Sequence, residues 1–346
     1  MSLRFYFSIL RSLGAVFSGR KLTKIGTLAV LIEFLRSKNI LDFLRKPRTV
    51  EEIKGYIGGV KREDLLTELL TVLARDELLV RKGEKYVTNE KKINEILEQY
   101  RKTRLLEEGS RGLRFGFSSR LSDAAVEILR GKNHKFTDAV IAITFFSQTR
   151  SEAYNFGRKL LLDLGGGKKF FQNKTILNLA CGFGAEPAFL YTYLDGKCTL
   201  ILAEFFENIL EQCRQHEFEF KGEKIRLEDL PNVDFRLFDP EFKEPFDISD
   251  ESVDIVFSFQ LLHWTKHVPE IAKESYRILK DGGVFLSATP LKKDVNELHP
   301  TDILIKLIGG YKMWSEDELH KIFYDAGFRD ISIKYSNFIV ARKWIA

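Results

Sequence analysis

Residues 176–187 read ILNLACGFGAEP, an apolar run that climbs into a small-residue turn before a helical pattern begins. Glycines such as Gly182 and Gly184 at a strand-to-helix turn let a ligand lie against the backbone, because no Cβ intrudes. Glu204 closes the next apolar run, CTLILAE. A carboxylate there can accept both hydroxyls of a ribose. Asp239 ends RLFD, placed to accept a hydrogen bond from an exocyclic adenine amine, and Phe238 beside it can lie on a purine face. The segment SFQLLHW carries Phe259, Gln260 and His263 to the rim where a reacting substrate would sit. Acceptors or loops at successive strand ends describe a nucleoside crevice. A positioned imidazole at His263 could also take a proton from a hydroxyl, a contribution of about 10²–10⁴-fold.

Two rival chemistries fit poorly. A dinucleotide loop wants a third glycine and a helix N-terminus aimed at a pyrophosphate. Here Pro187 stands near the place of that glycine, and Glu186 puts a negative charge in the first turn of the helix. That charge repels a pyrophosphate and tolerates a zwitterionic amino-acid tail. His263 and His267 form an i, i+4 pair, but Trp264 occupies the position that zinc-site logic gives to glutamate, so no metal is expected. Cys181, Cys198 and Cys213 have no CxxC spacing and form an odd set, which points away from a disulfide framework and towards a reducing, cytoplasmic setting.

The elements that must position these residues alternate from residue 173 onwards. Strand candidates are KTILNLA, CTLILAEF, NVDFRLF, SVDIVFSF and GVFLSATP. Helix candidates AEPAFLYTYL, ENILEQCRQHEFEF, VPEIAKESYRILK and SEDELHKIFYDAG separate or follow them. Continuous apolar strands divided by helices imply a sheet covered on both faces. FRDISIKYS and NFIVARKW follow with no helix between them, so they are expected to form a hairpin with an antiparallel last strand. The fold class is therefore α/β, a Rossmann-like doubly wound sheet, mostly parallel, in residues 173–346.

Residues 1–105 have a separate logic. A helical stretch stops at Lys46-Pro47, Thr49 caps TVEEIKGYIG with Glu52 at the capping-box position, and KREDLLTELLTVLARDE carries leucines on one face. Two short apolar runs then turn around Lys82-Gly83-Glu84, an order that reads as an α-rich winged-helix domain. The outer face of its third helix mixes Lys61, Arg62, Asp64, Thr67, Glu68 and Thr71, which suits a polyanion poorly. A nucleic-acid partner is not expected; a structural role, or a dimerising one that would make a homodimer, is. Residues 3–17 place Leu3, Tyr6, Phe7, Leu10, Leu13 and Phe17 at helical spacing, fitting a docking helix or a membrane-surface contact. Residues 106–172 read as a helical connector. Its Phe145, Phe146, Tyr154 and Phe156, with Tyr311, Met313 and Trp314 further on, would either wall an apolar or aromatic small-molecule acceptor or fill ordinary core.

The 346-residue chain has 54 basic and 49 acidic residues, a balance that demands no polyanionic partner. Its length accommodates two domains with separate cores, and no apolar run approaches the ~20 residues that span a bilayer.

The later half resembles class I S-adenosylmethionine-dependent methyltransferases. ILNLACGFG follows their first motif, usually hhDhGxGxG, with Asn178 at the aspartate position and Ala180 at the first glycine, while Gly182 and Gly184 keep the other two. Glu204, Phe238-Asp239, SFQLLHW, RILKDGG and DAGFRDISI match the later motifs in order. The N-terminal part resembles the winged-helix dimerisation region of small-molecule O-methyltransferases. The resemblance implies S-adenosyl-L-methionine as cofactor, held by Tyr154, Asn178, Ala180, Gly182, Gly184, Glu204, Phe205, Phe238, Asp239, Phe259 and Gln260, with Tyr154 on the sulfonium side. It implies methyl transfer to a small hydroxylated acceptor. His263 lies in an LHW segment similar to the family's LHDW, as a base or as part of the cofactor frame. A second class of function stays open: a winged-helix DNA-binding regulator that senses S-adenosylmethionine.

Overall fold

The computed structural model describes residues 19–108, 119–132, 149–150 and 152–344. The expected amphipathic stretch 3–17, with Phe145 and Phe146, lies outside them. The chain divides into two compact units, one of residues 1–142 with 296–313 and one of residues 143–295 with 314–346.

The first unit contains α1 (Gly19–Ser37), α2 (Ile40–Phe43), β1 (Arg48–Thr49), α3 (Val50–Ile57), α4 (Glu63–Arg75), β2 (Leu79–Lys82), β3 (Lys85–Thr88), α5 (Glu90–Glu108) and α6 (Ser119–Leu129). Thr49 starts α3 with a reciprocal cap. Its hydroxyl accepts the Glu52 N–H at 3.2 Å, and the Glu52 carboxylate accepts the Thr49 N–H at 2.8 Å. Leu65, Leu66, Leu69, Leu70 and Leu73 bury one face of α4. β2 and β3 pair antiparallel about Gly83, and β1 adds to the far side of β3.

The second unit begins with α7 (Glu152–Gly165), α8 (Lys168–Phe171), β4 (Lys174–Leu179), α9 (Ala185–Tyr193), β5 (Cys198–Glu204) and α10 (Glu207–Arg214). It continues through β6 (Glu217–Phe220), β7 (Glu223–Arg226), β8 (Val233–Leu237), β9 (Val253–Phe259), α11 (Val268–Ile278), β10 (Leu279–Ala288) and β11 (Leu291–Lys292). The chain then gives α12 (Pro300–Leu307) to the first unit, whose core takes Ile303 and Leu307. Thr301 meets Thr27 there at 3.1 Å between hydroxyls, and Lys306 pairs with Glu68 at 2.6 Å. The last elements are β12 (Trp314–Ser315), α13 (Glu316–Asp325), β13 (Asp330–Lys334) and β14 (Phe338–Arg342).

Seven strands form the main sheet in the order β13-β14-β10-β9-β4-β5-β8. The run from β10 to β8 is parallel, and β14 is antiparallel to both of its neighbours. This is the expected α/β sheet with its terminal hairpin. Successive side chains of a strand point to opposite faces. Leu177 and Leu179 accordingly pack with Ile271, Phe285 and Phe323 on one side, and Ile176 with Leu161, Leu190 and Leu202 on the other. Strand order reverses between β4 and β9, which places the ligand crevice of such a sheet at their carboxyl ends.

The structure corrects one helix. ENILEQCRQHEFEF reads as continuous helix in the sequence, but α10 ends at Arg214 and the remainder enters the β6–β7 hairpin. EFEF alternates with period two, and Lys221-Gly222 makes the turn with φ of 54° and 87°. Phe220 and Phe218 then meet Tyr191 edge-on, with centroids 5.0 and 6.2 Å away.

Candidate active site

β4 delivers the turn Ala180–Gly184 to the crevice, and β5 fastens it there. The Cys181 N–H donates to the Ala203 carbonyl at 3.0 Å. The Gly182 N–H donates to Glu204 Oε2 at 2.9 Å, while Glu204 Oε1 accepts the Phe205 N–H at 2.8 Å. Glu204 is buried, and desolvation pushes its carboxyl up to about 7 against those two amides. An ionised carboxylate offers about four lone-pair sites. Two backbone contacts therefore leave acceptor capacity for a ligand.

The two glycines have different reasons to be glycine. A Cβ on Gly182 would meet nothing within 4 Å, so its side of the turn is open. A Cβ on Gly184 would fall 2.4 Å from the His216 Cβ, so that glycine admits a protein side chain instead. Ala180 sits in the same turn at φ 59°, and Gln260 at the end of β9 has φ 68°. A left-handed conformation costs a non-glycine residue roughly 1–2 kcal/mol. Two such residues at neighbouring strand ends mark a backbone shaped by more than local preference. The Gln260 N–H, donating to the Ala288 carbonyl at 2.6 Å, holds the second of them.

Asn178 is fully buried at the end of β4, on the Ile176 side of the sheet. Its Nδ2 donates to Glu186 Oε1 and, at 3.4 Å, to the Phe257 carbonyl. Glu186, in the first turn of α9, is also buried and lies with Oε2 3.5 Å from the Arg158 Nε. Arg158 is 1% exposed. Its guanidinium donates to the Thr149 carbonyl and Asn155 Oδ1 at 2.7 and 2.8 Å, and lies 5.4–5.9 Å from the rings of Phe259, Tyr154 and Phe189. Tyr154 packs against Phe259 with centroids 5.6 Å apart. Gly157 clears the way, since a Cβ there would come within 3.0 Å of the Phe259 ring.

The adenine-side candidates are more committed to the protein than their sequence positions imply. Asp239 accepts the Glu241 and Lys243 N–H groups at 3.0 and 2.8 Å, and these bonds hold its carboxyl below the usual range. Phe238 stacks on Phe246 at 4.3 Å and 12°, so one ring face serves the core. Phe205 tilts against Phe242 at 5.5 Å, and Phe242 stacks on His267 at 5.2 Å.

His263 follows β9 in a short 3₁₀ turn and is buried. Its Nδ1 meets Thr289 Oγ1 at 3.0 Å, and the Trp314 Nε1–H donates to the Leu262 carbonyl at 2.8 Å, fixing the turn. Burial pushes the imidazole down to about 3, so it is neutral at physiological pH. Of the expected acceptor wall, Trp314 and Met313 are buried and Tyr311 is exposed. Among the described residues, no group of three or more His, Cys, Asp or Glu side chains could hold a metal ion, and no helix is long and apolar enough to cross a membrane.

Sequence reading missed Arg158 and Thr289, and saw Glu186 only as a repulsive charge. Arg158 left a readable trace: a lone cation four residues after Tyr154 and three before Leu161, on an otherwise apolar helix face.

Residues 177–287 match the family model of a methyltransferase domain. No curated protein matches the sequence. Among solved structures, the CurJ carbon methyltransferase is 13% identical, with a TM-score of 0.62 and coverage of 97% of both chains. The DszA carbon methyltransferase is 15% identical, with a TM-score of 0.62, over 99% of this chain and 94% of that one. The citrinin polyketide synthase CMeT domain is 12% identical, with a TM-score of 0.63, over 98% and 93%. At these identities the likeness is one of fold, and it extends over both units.

Proposed function

We propose that the chain is a class I S-adenosylmethionine-dependent methyltransferase that methylates a small apolar or aromatic acceptor bearing an acidic hydroxyl. S-adenosylmethionine, when bound, supplies a methyl group already activated on a sulfonium. The protein's remaining tasks are to hold the acceptor in line and to exclude water. The residues present fit that cofactor: Gly182 leaves its side of the turn open, and Glu204 retains acceptor sites beside it. Glu204 would take the ribose hydroxyls, and Tyr154 and Phe259 would face the sulfonium side, where aromatic rings favour a cation.

The burial of His263 and the engagement of its Nδ1 by Thr289 carry the choice of acceptor. A base whose conjugate acid lies near 3 draws a proton poorly from an ordinary alcohol at neutral pH. We therefore read His263 as a frame for the turn, through Thr289, and the acceptor as a group that ionises readily by itself, such as a phenol or enol. An enol can also be methylated at carbon. That second reading is supported by the likeness, over both units, to two structures described as carbon methyltransferases.

Dimerisation is assigned to the first unit, read as a winged helix. DNA binding is disfavoured by its surface charges: Lys54 bridges Glu51 and Glu63 at 2.8 Å, and Arg62 is paired with Asp64 at 2.8 Å. Incubation with S-adenosylmethionine and phenolic or β-dicarbonyl acceptors, with NMR of the product, tests the function and separates O–CH₃ from C–CH₃. His263→Ala is expected to lower kcat by less than about tenfold, where loss of a true general base costs ~10²–10⁴-fold. A loss in that larger range at unchanged cofactor affinity would assign the base role to His263.

A further inference from the structure

Asn178 stands where the resembled pattern has aspartate, which looks like a lost charge. The surrounding geometry shows where a charge is instead. Asn178 gives its amide to Glu186, eight residues on, and Glu186 faces Arg158 from α7. All three side chains are buried in the second unit, beneath the turn that carries Gly182. Two polar atoms among them have no hydrogen-bond partner, Asn178 Oδ1 and Arg158 Nε. Burying a guanidinium is tolerable only against a counter-charge, and breaking such a pair leaves an uncompensated ion. A carboxylate at 178 would put two anions within hydrogen-bond distance of each other, which raises one pKa strongly.

We infer that Glu186 is the anionic positioning residue of the cofactor loop, charge-balanced by Arg158, and that Asn178 is neutral because the carboxylate has moved eight residues along the chain to Glu186. The inference rests on the reading of residues 180–184 as the S-adenosylmethionine loop. Asn178 lies one residue before the end of β4 and Glu186 in the first turn of α9, so the bond between them spans the turn. Burial lifts the Glu186 carboxyl to about 7 against the opposing pull of Arg158 and Asn178, so the loop gains this charge as pH rises through 7.

A double-mutant cycle tests this, read by calorimetric titration with S-adenosylhomocysteine and by thermal melting of the free protein. Asn178→Asp and Glu186→Gln are each expected to weaken binding about tenfold or more, the first by adding a second carboxylate and the second by stranding Arg158. The combined variant keeps one carboxylate and one carboxamide in exchanged places. Its affinity should return to within about threefold of the wild type, well inside the range of coupling energies for contacting residues. If a single variant fails to fold, the double variant must recover the melting transition. Losses that simply add, or an Asn178→Asp protein that binds as tightly as the wild type, would overturn the exchange of charge. Wild-type protein that binds no S-adenosylhomocysteine would instead overturn the cofactor reading beneath it.

Discussion

Glu204→Ala is expected to abolish measurable S-adenosylhomocysteine binding, and Glu204→Gln to weaken it by about 10²-fold, because the site then loses both a charge and an acceptor. The side chain has two tasks. It takes the Gly182 and Phe205 N–H groups, and its remaining lone pairs are assigned to the ribose. Alanine leaves both amides without their acceptor as well as removing the ribose contact. A pH dependence follows. The folded, ligand-free protein holds the Glu204 proton up to about 7, against 4.5 for an ordinary glutamate. That proton stabilises the fold fully below pH 4.5, and its contribution is lost as pH rises through 7. A carboxylate accepting two hydroxyls must be ionised, so wild-type affinity should fall as pH drops below 7, by up to about tenfold per unit for one proton. Glu186 titrates in the same region, raised by burial to about 7. The Glu204→Gln profile should therefore be shallower than the wild type, not flat. Wild-type affinity that does not change between pH 6 and 8 would contradict the assignment.

The two glycines of the turn should separate when each is changed to alanine. Gly184→Ala drives a Cβ to 2.4 Å from the His216 Cβ and 2.6 Å from its Cγ, at φ 90°. Those atoms cannot swing aside as the end of a flexible side chain could. The combined strain of overpacking and a left-handed alanine is roughly 2–5 kcal/mol, enough to lower Tm by many degrees. Gly182→Ala meets no atom within 4 Å, and Ala180 in the same turn already holds alanine at φ 59°. Its cost to stability should be only about 1–2 kcal/mol, while the new methyl projects into the space assigned to the ligand. Melting curves should therefore single out Gly184→Ala, and S-adenosylhomocysteine titration of the surviving fold should single out Gly182→Ala. Equal effects of both on Tm, with no effect of Gly182→Ala on affinity, would contradict the division of roles.

The sheet was legible because its strands are continuous apolar runs whose partners are dictated by the βα rhythm. The final hairpin was legible because nothing helical separates its strands. β6 was hidden by four residues of alternation following a helical pattern, too short for periodicity to prevail. At the site, Glu204 and the glycine turn could be located from strand ends alone. The environments of Asp239 and Phe238 could not. Asp239 is bound by amides two and four residues ahead, and Phe238 by Phe246, contacts set by the path of the loop. Arg158 meets Glu186 only once α7 and α9 pack on the same face of the sheet, so no local pattern joins them. The sequence marks Asn178 as irregular; the fold supplies the reason.

Co-crystallisation with S-adenosylhomocysteine tests the central claim most directly. The ribose hydroxyls should lie on the Glu204 carboxylate, the amino-acid end along the open side of Gly182, and the sulfur towards Tyr154 and Phe259. A ligand bound away from the β4–β5 strand ends, with Glu204 still held by its two backbone amides alone, would contradict it.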